Sequence, residues 1–180
     1  MKIKFFIIYF VTYLFVNSVS FAEEKDSQMN SYTGILDDKR SGLNVYSGMF
    51  DFSDHKQRAS LIGIEHQNHN LYRDTLVGKI SPVTGFFITG NNASYIYTGI
   101  ETNYKLGRLN ITPSFTPGLY AKGDGKDLGS IIEFKSDVQP FYDVVESMNL
   151  GMSYDHVSND SLGDKNPGAN SYMLNFLKKF

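Results

Sequence analysis

The chain has 180 residues, 17 basic against 19 acidic, and a net charge of −2, a well-mixed balance that argues against nucleic acid as a partner. It contains no cysteine, which excludes a disulfide framework, a thiol nucleophile and a cysteine metal site. Tyrosine (12), phenylalanine (14) and glycine (16) are abundant, tryptophan is absent and mean hydropathy is −0.27, values that suit the aromatic girdles of a lipid-facing barrel and equally a soluble β-rich domain.

In chain order, Lys2 and Lys4 precede an apolar run from Phe5 to Val16, and Ser20-Phe21-Ala22 forms a small-x-small cleavage site before Glu23. This predicts a secretory signal peptide over 1–22 and a mature chain starting at Glu23. The run is short of the roughly 20 residues a membrane-spanning helix needs, and no later segment reaches that length. A membrane location would therefore be achieved with strands. By length the mature chain is one domain, opening with a polar leader over 23–42.

Strand-like runs then recur between turn signals. The spacing predicts strands near Leu43–Phe52, Arg58–His66, Leu76–Thr89, Ser94–Leu106, Leu109–Ala121, Leu128–Val144, Met148–Val157 and Ser171–Phe180, which makes eight. Turns fall at Ser53-Asp54, Asn68 to Asn70, Gly90-Asn91-Asn92, Leu106-Gly107, Gly123-Asp124-Gly125 and Val145-Glu146, with a long loop from Asn159 to Gly168. The fifth strand alternates cleanly, with Leu109, Ile111, Pro113, Phe115 and Leu119 opposed to Asn110, Thr112, Ser114 and Thr116. The sixth sets Ile132, Phe134 and Val138 against Glu133, Lys135, Asp137 and Gln139. A charged set of that kind lines a lumen or meets solvent. Alternation is weaker in the first, third and fourth strands, and Pro82, Pro113 and Pro117 call for bulges or rims. The terminal Phe180, preceded by apolar residues at alternate positions, resembles the C-terminal signal read by the barrel assembly machinery of bacterial outer membranes.

The chemistry concentrates on the last two strands. Residues i and i+2 of a strand share a face, so His156 and Ser158 point the same way, a base beside a nucleophile. Leu150, Met152 and Tyr154 share their parity, which puts the pair on the apolar side, facing lipid in a transmembrane barrel. A His-x-Ser pair is by itself a weak motif. His66 and His69 flank the polar turn Gln67-Asn68 and read, with His55, as solvated residues rather than metal ligands. Lys39-Arg40 and Lys178-Lys179 read as solvated charge near one membrane interface.

Leu128-Gly129-Ser130, Glu133-Phe134-Lys135-Ser136, His156-Val157-Ser158-Asn159 and Asn166-Pro167-Gly168, occurring in that order, together resemble the lipid A 3-O-deacylase (PagL) family, also catalogued among acyloxyacyl hydrolases. The likeness is densest from Leu128 to Phe180. It implies an all-β, eight-stranded antiparallel transmembrane barrel of the bacterial outer membrane, carrying a serine esterase that removes the ester-linked 3-O-acyl chain of lipid A. By matching positions, His156 is the general base and Ser158 the nucleophile. Asn159, Asn166 and Gly168 lie where the family builds its oxyanion-stabilising loop, which nominates Asn159 and Asn166 for that role, and no metal or cofactor is required.

Two positions depart from the family pattern. Asn170 stands where the family carries a glutamate; it shares parity with Tyr172, Leu174 and Phe176, and so with the face of His156. An amide can orient an imidazole, as in Cys-His-Asn enzymes, but lends no negative charge. Asp160-Ser161 replaces smaller residues in the loop. Asp160 and Asp164 are the alternative third members, whereas Glu133 and Asp155 have the opposite parity. The expected partners are lipid A or lipopolysaccharide as substrate, outer-membrane lipids, the assembly machinery during biogenesis and, as an oligomeric option, a homodimer. Two other classes remain open: a non-catalytic small barrel with a structural or adhesive role, and another lipid-modifying barrel such as an acyltransferase. Eight strands are too few for a porin channel.

Overall fold

The computed structural model describes residues 34–35, 40–76 and 78–180. The expected signal peptide over 1–22 and nearly all of the leader over 23–42 lie outside the described residues. Eight strands build the barrel unit: β1 (Gly42–Phe50), β2 (Ala59–Gln67), β3 (Gly78–Thr89), β4 (Ser94–Thr102), β5 (Leu109–Ala121), β6 (Ile132–Val145), β7 (Met148–Ser158) and β8 (Ala169–Lys179). Each pairs antiparallel with the next, and β8 pairs with β1 to close the cylinder. No helix occurs among the described residues. The strands run from 9 to 14 residues, enough for the roughly 9–11 that a tilted strand needs to cross a bilayer.

Side chains alternate strictly across the wall. Val45, Ile62, Ile88, Ile96, Leu119 and Leu174 point outward and are exposed, whereas Glu65, Glu133, Lys135, Asp137 and Asp155 point inward and are buried. Polar in and apolar out is the arrangement of a membrane barrel, since lipid takes the place of the core. Within the lumen one cation is enclosed by two carboxylates. Lys135 Nζ lies 3.5 Å from Glu65, 3.3 Å from Asp137 and 4.1 Å from the centre of the Tyr97 ring. Gln139 donates to both carboxylates, at 3.0 and 2.7 Å.

Several expectations are corrected. Much of the aromatic content lines the lumen instead of a lipid girdle: Tyr46, Phe50, Phe87, Tyr95, Tyr97 and Tyr120 are all buried inside. Tyr46 lies across Gly63, and Tyr97 across Gly85, where a Cβ would stand 2.2 and 2.3 Å from the ring or its hydroxyl. Inward aromatics are why β1, β3 and β4 alternate poorly in sequence: both faces carry large apolar residues. The prolines sit at gaps in the ladders, not at bulges. Pro117 lies where β4–β5 pairing skips Thr98 and Gly99, Pro113 where it skips Thr102 and Asn103, and Pro82 just beyond the last β2–β3 pair. The fourth expected strand divides at Asn103, leaving a separate piece at Tyr104–Leu106, and the sixth starts late, at Ile132. His69 is no solvated residue: it is buried, with Nδ1 3.1 Å from the Arg40 carbonyl and Nε2 2.9 Å from Glu101. His66 stacks on Phe180 with ring centres 6.3 Å apart, and Lys179 is buried.

Candidate active site

Four connections share one end of the barrel, those following β1, β3, β5 and β7, and the candidate residues gather there on the outer wall. On β7, Tyr154 and His156 point outward while Asp155 and Val157 are buried inside. The β7–β8 register sets His156 directly opposite Asn170. Residues facing each other in an antiparallel pair have Cβ atoms about 4.5–5.5 Å apart, so their side chains meet without any special backbone feature. His156 Nδ1 lies 2.8 Å from Asn170 Oδ1. With a carbonyl oxygen as its partner, Nδ1 carries the proton and Nε2 presents a lone pair. Ser158 follows on the same face. Among the described residues neither its hydroxyl nor His156 Nε2 has a hydrogen-bond partner. Contacts between a base and its nucleophile commonly tighten only when substrate binds.

Asn170 is held from three more directions. The Tyr154 hydroxyl donates to its Oδ1 at 2.8 Å, and its Nδ2 lies 3.5 Å from Ser53 Oγ. Its backbone carbonyl accepts the Phe52 N–H at 3.0 Å, which pins the turn after β1 onto the start of β8. Phe52 in turn packs on Tyr154 and Tyr172, with ring centres 6.3 and 5.3 Å apart. Asp160 and Asp164 are exposed on the loop, Glu133 and Asp155 face the lumen, and Asn170 is the third side chain that meets His156.

The loop from Asn159 to Gly168 is built around Asn159, whose side chain is fully buried. Its Nδ2 donates to the Leu128 and Lys165 carbonyls at 2.8 and 2.9 Å and approaches Glu133 at 3.4 Å, while its Oδ1 accepts the Ser161 N–H at 3.0 Å. This amide is committed inside the loop. Asn166 differs: its Oδ1 accepts the Asn159 backbone N–H at 3.2 Å, and its Nδ2 has no partner among the described residues. Gly168, at φ 63°, lets the backbone approach the imidazole; a Cβ there would stand 2.8 Å from His156 Cε1.

A second loop supports the first. A Cβ on Gly129 would stand 2.1 Å from the Lys165 carbonyl, and one on Gly163 2.1 Å from the Gly129 carbonyl, so the two loops touch backbone to backbone. Asp127 bridges Lys165 at 3.2 Å and Lys122 at 3.4 Å. The Lys165 ammonium, and after it the Gly129 N–H, hold the Asp127 carboxyl below the usual carboxylate range. Sequence reading singled out Leu128-Gly129-Ser130 only as a motif and missed Ser53, Asp51 and Tyr154 as neighbours of the site. Parity did place Tyr154 on the right face. Among the described residues no cluster of His, Cys, Asp or Glu could hold a metal ion.

Among curated proteins, none matches this chain. Among solved structures, the crystal structure of the outer membrane enzyme PagL superimposes with a TM-score of 0.61 at 15% identity, covering 77% of this chain and 99% of that one. A de novo designed transmembrane β-barrel superimposes with a TM-score of 0.56 at 11% identity, covering 79% and 96%. At such identities the likeness speaks for the barrel alone. Family, by contrast, is carried by sequence: the model of the lipid A 3-O-deacylase (PagL) family matches residues 39–179, which span all eight strands of the barrel, and the chain belongs to that family.

Proposed function

We propose that this outer-membrane barrel hydrolyses the ester-linked 3-O-acyl chain of lipid A, with Ser158 as nucleophile, His156 as general base and Asn170 as the residue that orients the base. The observation that carries the reading is the 2.8 Å contact between His156 Nδ1 and Asn170 Oδ1, on the face that also bears Ser158 and that meets lipid. A substrate already embedded in the bilayer reaches this face without leaving it.

The Ser158 hydroxyl gives its proton to His156 Nε2 as Oγ attacks the ester carbonyl, forming a tetrahedral oxyanion. Collapse breaks the bond to the sugar oxygen, which leaves as a hydroxyl after taking the proton from His156. Water, deprotonated by the same imidazole, then releases the fatty acid and restores Ser158. The oxyanion needs donors fixed in advance. Asn166 is suited to this, because its Oδ1 is anchored and its Nδ2 is free to donate. Asn159 serves the same end by holding the loop's shape, and Gly168 by leaving room beside the imidazole.

The test is mass spectrometry of purified lipid A incubated with the detergent-solubilised protein. Loss of one 3-O-acyl chain with release of the free fatty acid is the expected result, abolished by Ser158→Ala. Release of no acyl chain by the wild type would favour the non-catalytic barrel, and transfer of the chain to a second lipid would favour an acyltransferase.

A further inference from the structure

An asparagine in the orienting position raises a problem that a carboxylate does not. Both oxygens of a carboxylate accept hydrogen bonds, so either may face the imidazole. An amide has one accepting and one donating end. Turned the wrong way, Asn170 would point its NH2 at Nδ1, force the proton onto Nε2 and leave His156 unable to take the Ser158 proton. The wrong tautomer alone costs about 10⁴-fold in the serine-protease triad.

The surroundings of Asn170 select one orientation. Tyr154 donates to Oδ1 at 2.8 Å, and a phenol donates more readily than it accepts. On the far side, Ser53 Oγ donates to Asp51 Oδ1 at 3.5 Å, leaving a lone pair for the Asn170 NH2, also at 3.5 Å. Asp51 has a buried side chain, and its other oxygen is paired with the Lys126 ammonium at 2.6 Å. The direction of the Ser53–Asp51 bond, and with it that of the Asn170–Ser53 bond, therefore follows from a carboxylate that can only accept, and the Tyr154 hydroxyl supplies a donor to the oxygen end so placed. We propose that Tyr154, seconded by Ser53 and Asp51, is a positioning residue that fixes the Asn170 amide with its oxygen towards His156, so that an uncharged third member holds the base in its productive tautomer. This rests on the esterase reading of Ser158 and His156 given above.

The experiment is a double-mutant cycle in detergent micelles, read by deacylation rate and by the 15N spectrum of the His156 imidazole. Tyr154→Phe keeps the ring against Phe52 and removes only the donor. With Asn170 present it should lower kcat about tenfold at little change in KM and move the imidazole from the Nδ1–H form to a mixture of tautomers. In the Asn170→Asp background, where orientation no longer matters, adding Tyr154→Phe should change kcat less than about twofold. Ser53→Ala should give a smaller loss of the same kind. Full turnover and an unmixed Nδ1–H tautomer in Tyr154→Phe would overturn the proposal, as would equal losses in both backgrounds. If the wild type releases no acyl chain, the esterase reading fails, and the imidazole spectra of wild type and Tyr154→Phe still decide the positioning role.

Discussion

The lumen and the outer rim of this barrel both place polar side chains in apolar surroundings, and they treat them in opposite ways. Inside, Lys135 is enclosed by Glu65, Asp137 and the Tyr97 ring, and Gln139 ties the two carboxylates together. Around Lys135 each charge faces one of opposite sign, because an unpaired buried charge costs several kcal/mol in a medium of low dielectric, whereas Glu133 Oε2 and Asp155 Oδ1 in the same lumen have no hydrogen-bond partner among the described residues. On the rim, the imidazole is satisfied on one nitrogen only, and the serine beside it has no partner. A cation enclosed by two carboxylates resists change. A network left open at a nitrogen lone pair and a hydroxyl has capacity for chemistry, and its strong contacts all lie behind the imidazole.

The sharpest way to test the contrast is Ser158→Ala, which should lower deacylation by about 10³-fold or more while leaving stability unchanged, since the hydroxyl supports nothing else. Acyl release and the heat-dependent gel mobility of the folded barrel measure the two effects. Lys135→Met should do the reverse. Removing one partner of a buried ion network costs about 3–5 kcal/mol, to be read from the denaturant midpoint, and the fraction that folds should turn over at the wild-type rate. A large rate loss in well-folded Lys135→Met would erase the distinction between the two regions.

Asn159→Ala lies between them, because Asn159 is a buried residue that shapes an open site. Loss of its inward hydrogen bonds should slow turnover about tenfold to a hundredfold with a modest loss of stability, checked by rate and gel mobility together. The smallest effect belongs to Asp127→Asn. The clamp to Lys165 is exposed, so turnover near neutral pH should fall less than about threefold. The sign of its pH dependence is fixed. The folded protein holds the Asp127 carboxyl below its unfolded value, so the clamp is fully present above the unfolded value and is lost as pH falls through the folded one. Wild type and Asp127→Asn should therefore converge in acid, as measured by the ratio of their rates across an acid titration.

The sequence was read well where one face was uniformly apolar and badly where both were large. β5 begins and ends as expected, at Leu109 and Ala121, because polar and apolar residues alternate without interruption. The start of β6 was misplaced by four residues because Leu128 and Ile131 look like strand residues, yet Leu128 is buried under the loop network and Gly129 has a positive φ. Asn159 carries a further lesson: the resemblance nominates it for the oxyanion, yet it has the parity of Asp155 and Val157 and its side chain is buried and bonded within the loop. His69 and Glu101 are 32 residues apart, and they become neighbours because β3 pairs with the end of β2 on one side and with β4 on the other.

What the sequence determined alone is what depends on a period of two: eight strands, their inward and outward faces, and a histidine, a serine and an asparagine sharing one wall. Those follow from local alternation, which any strand obeys before it meets a partner. Tertiary structure decided which groups meet across the gaps. The turn after β1 reaches Asn170 only because the last strand pairs with the first, bringing Ser53 to a residue 117 positions away. The loops at 127–131 and 159–168 touch only because β6, into which the first loop leads, pairs with β7, from which the second departs. Strand parity states which way a side chain points, but strand register and the barrel's closure state what stands there to receive it.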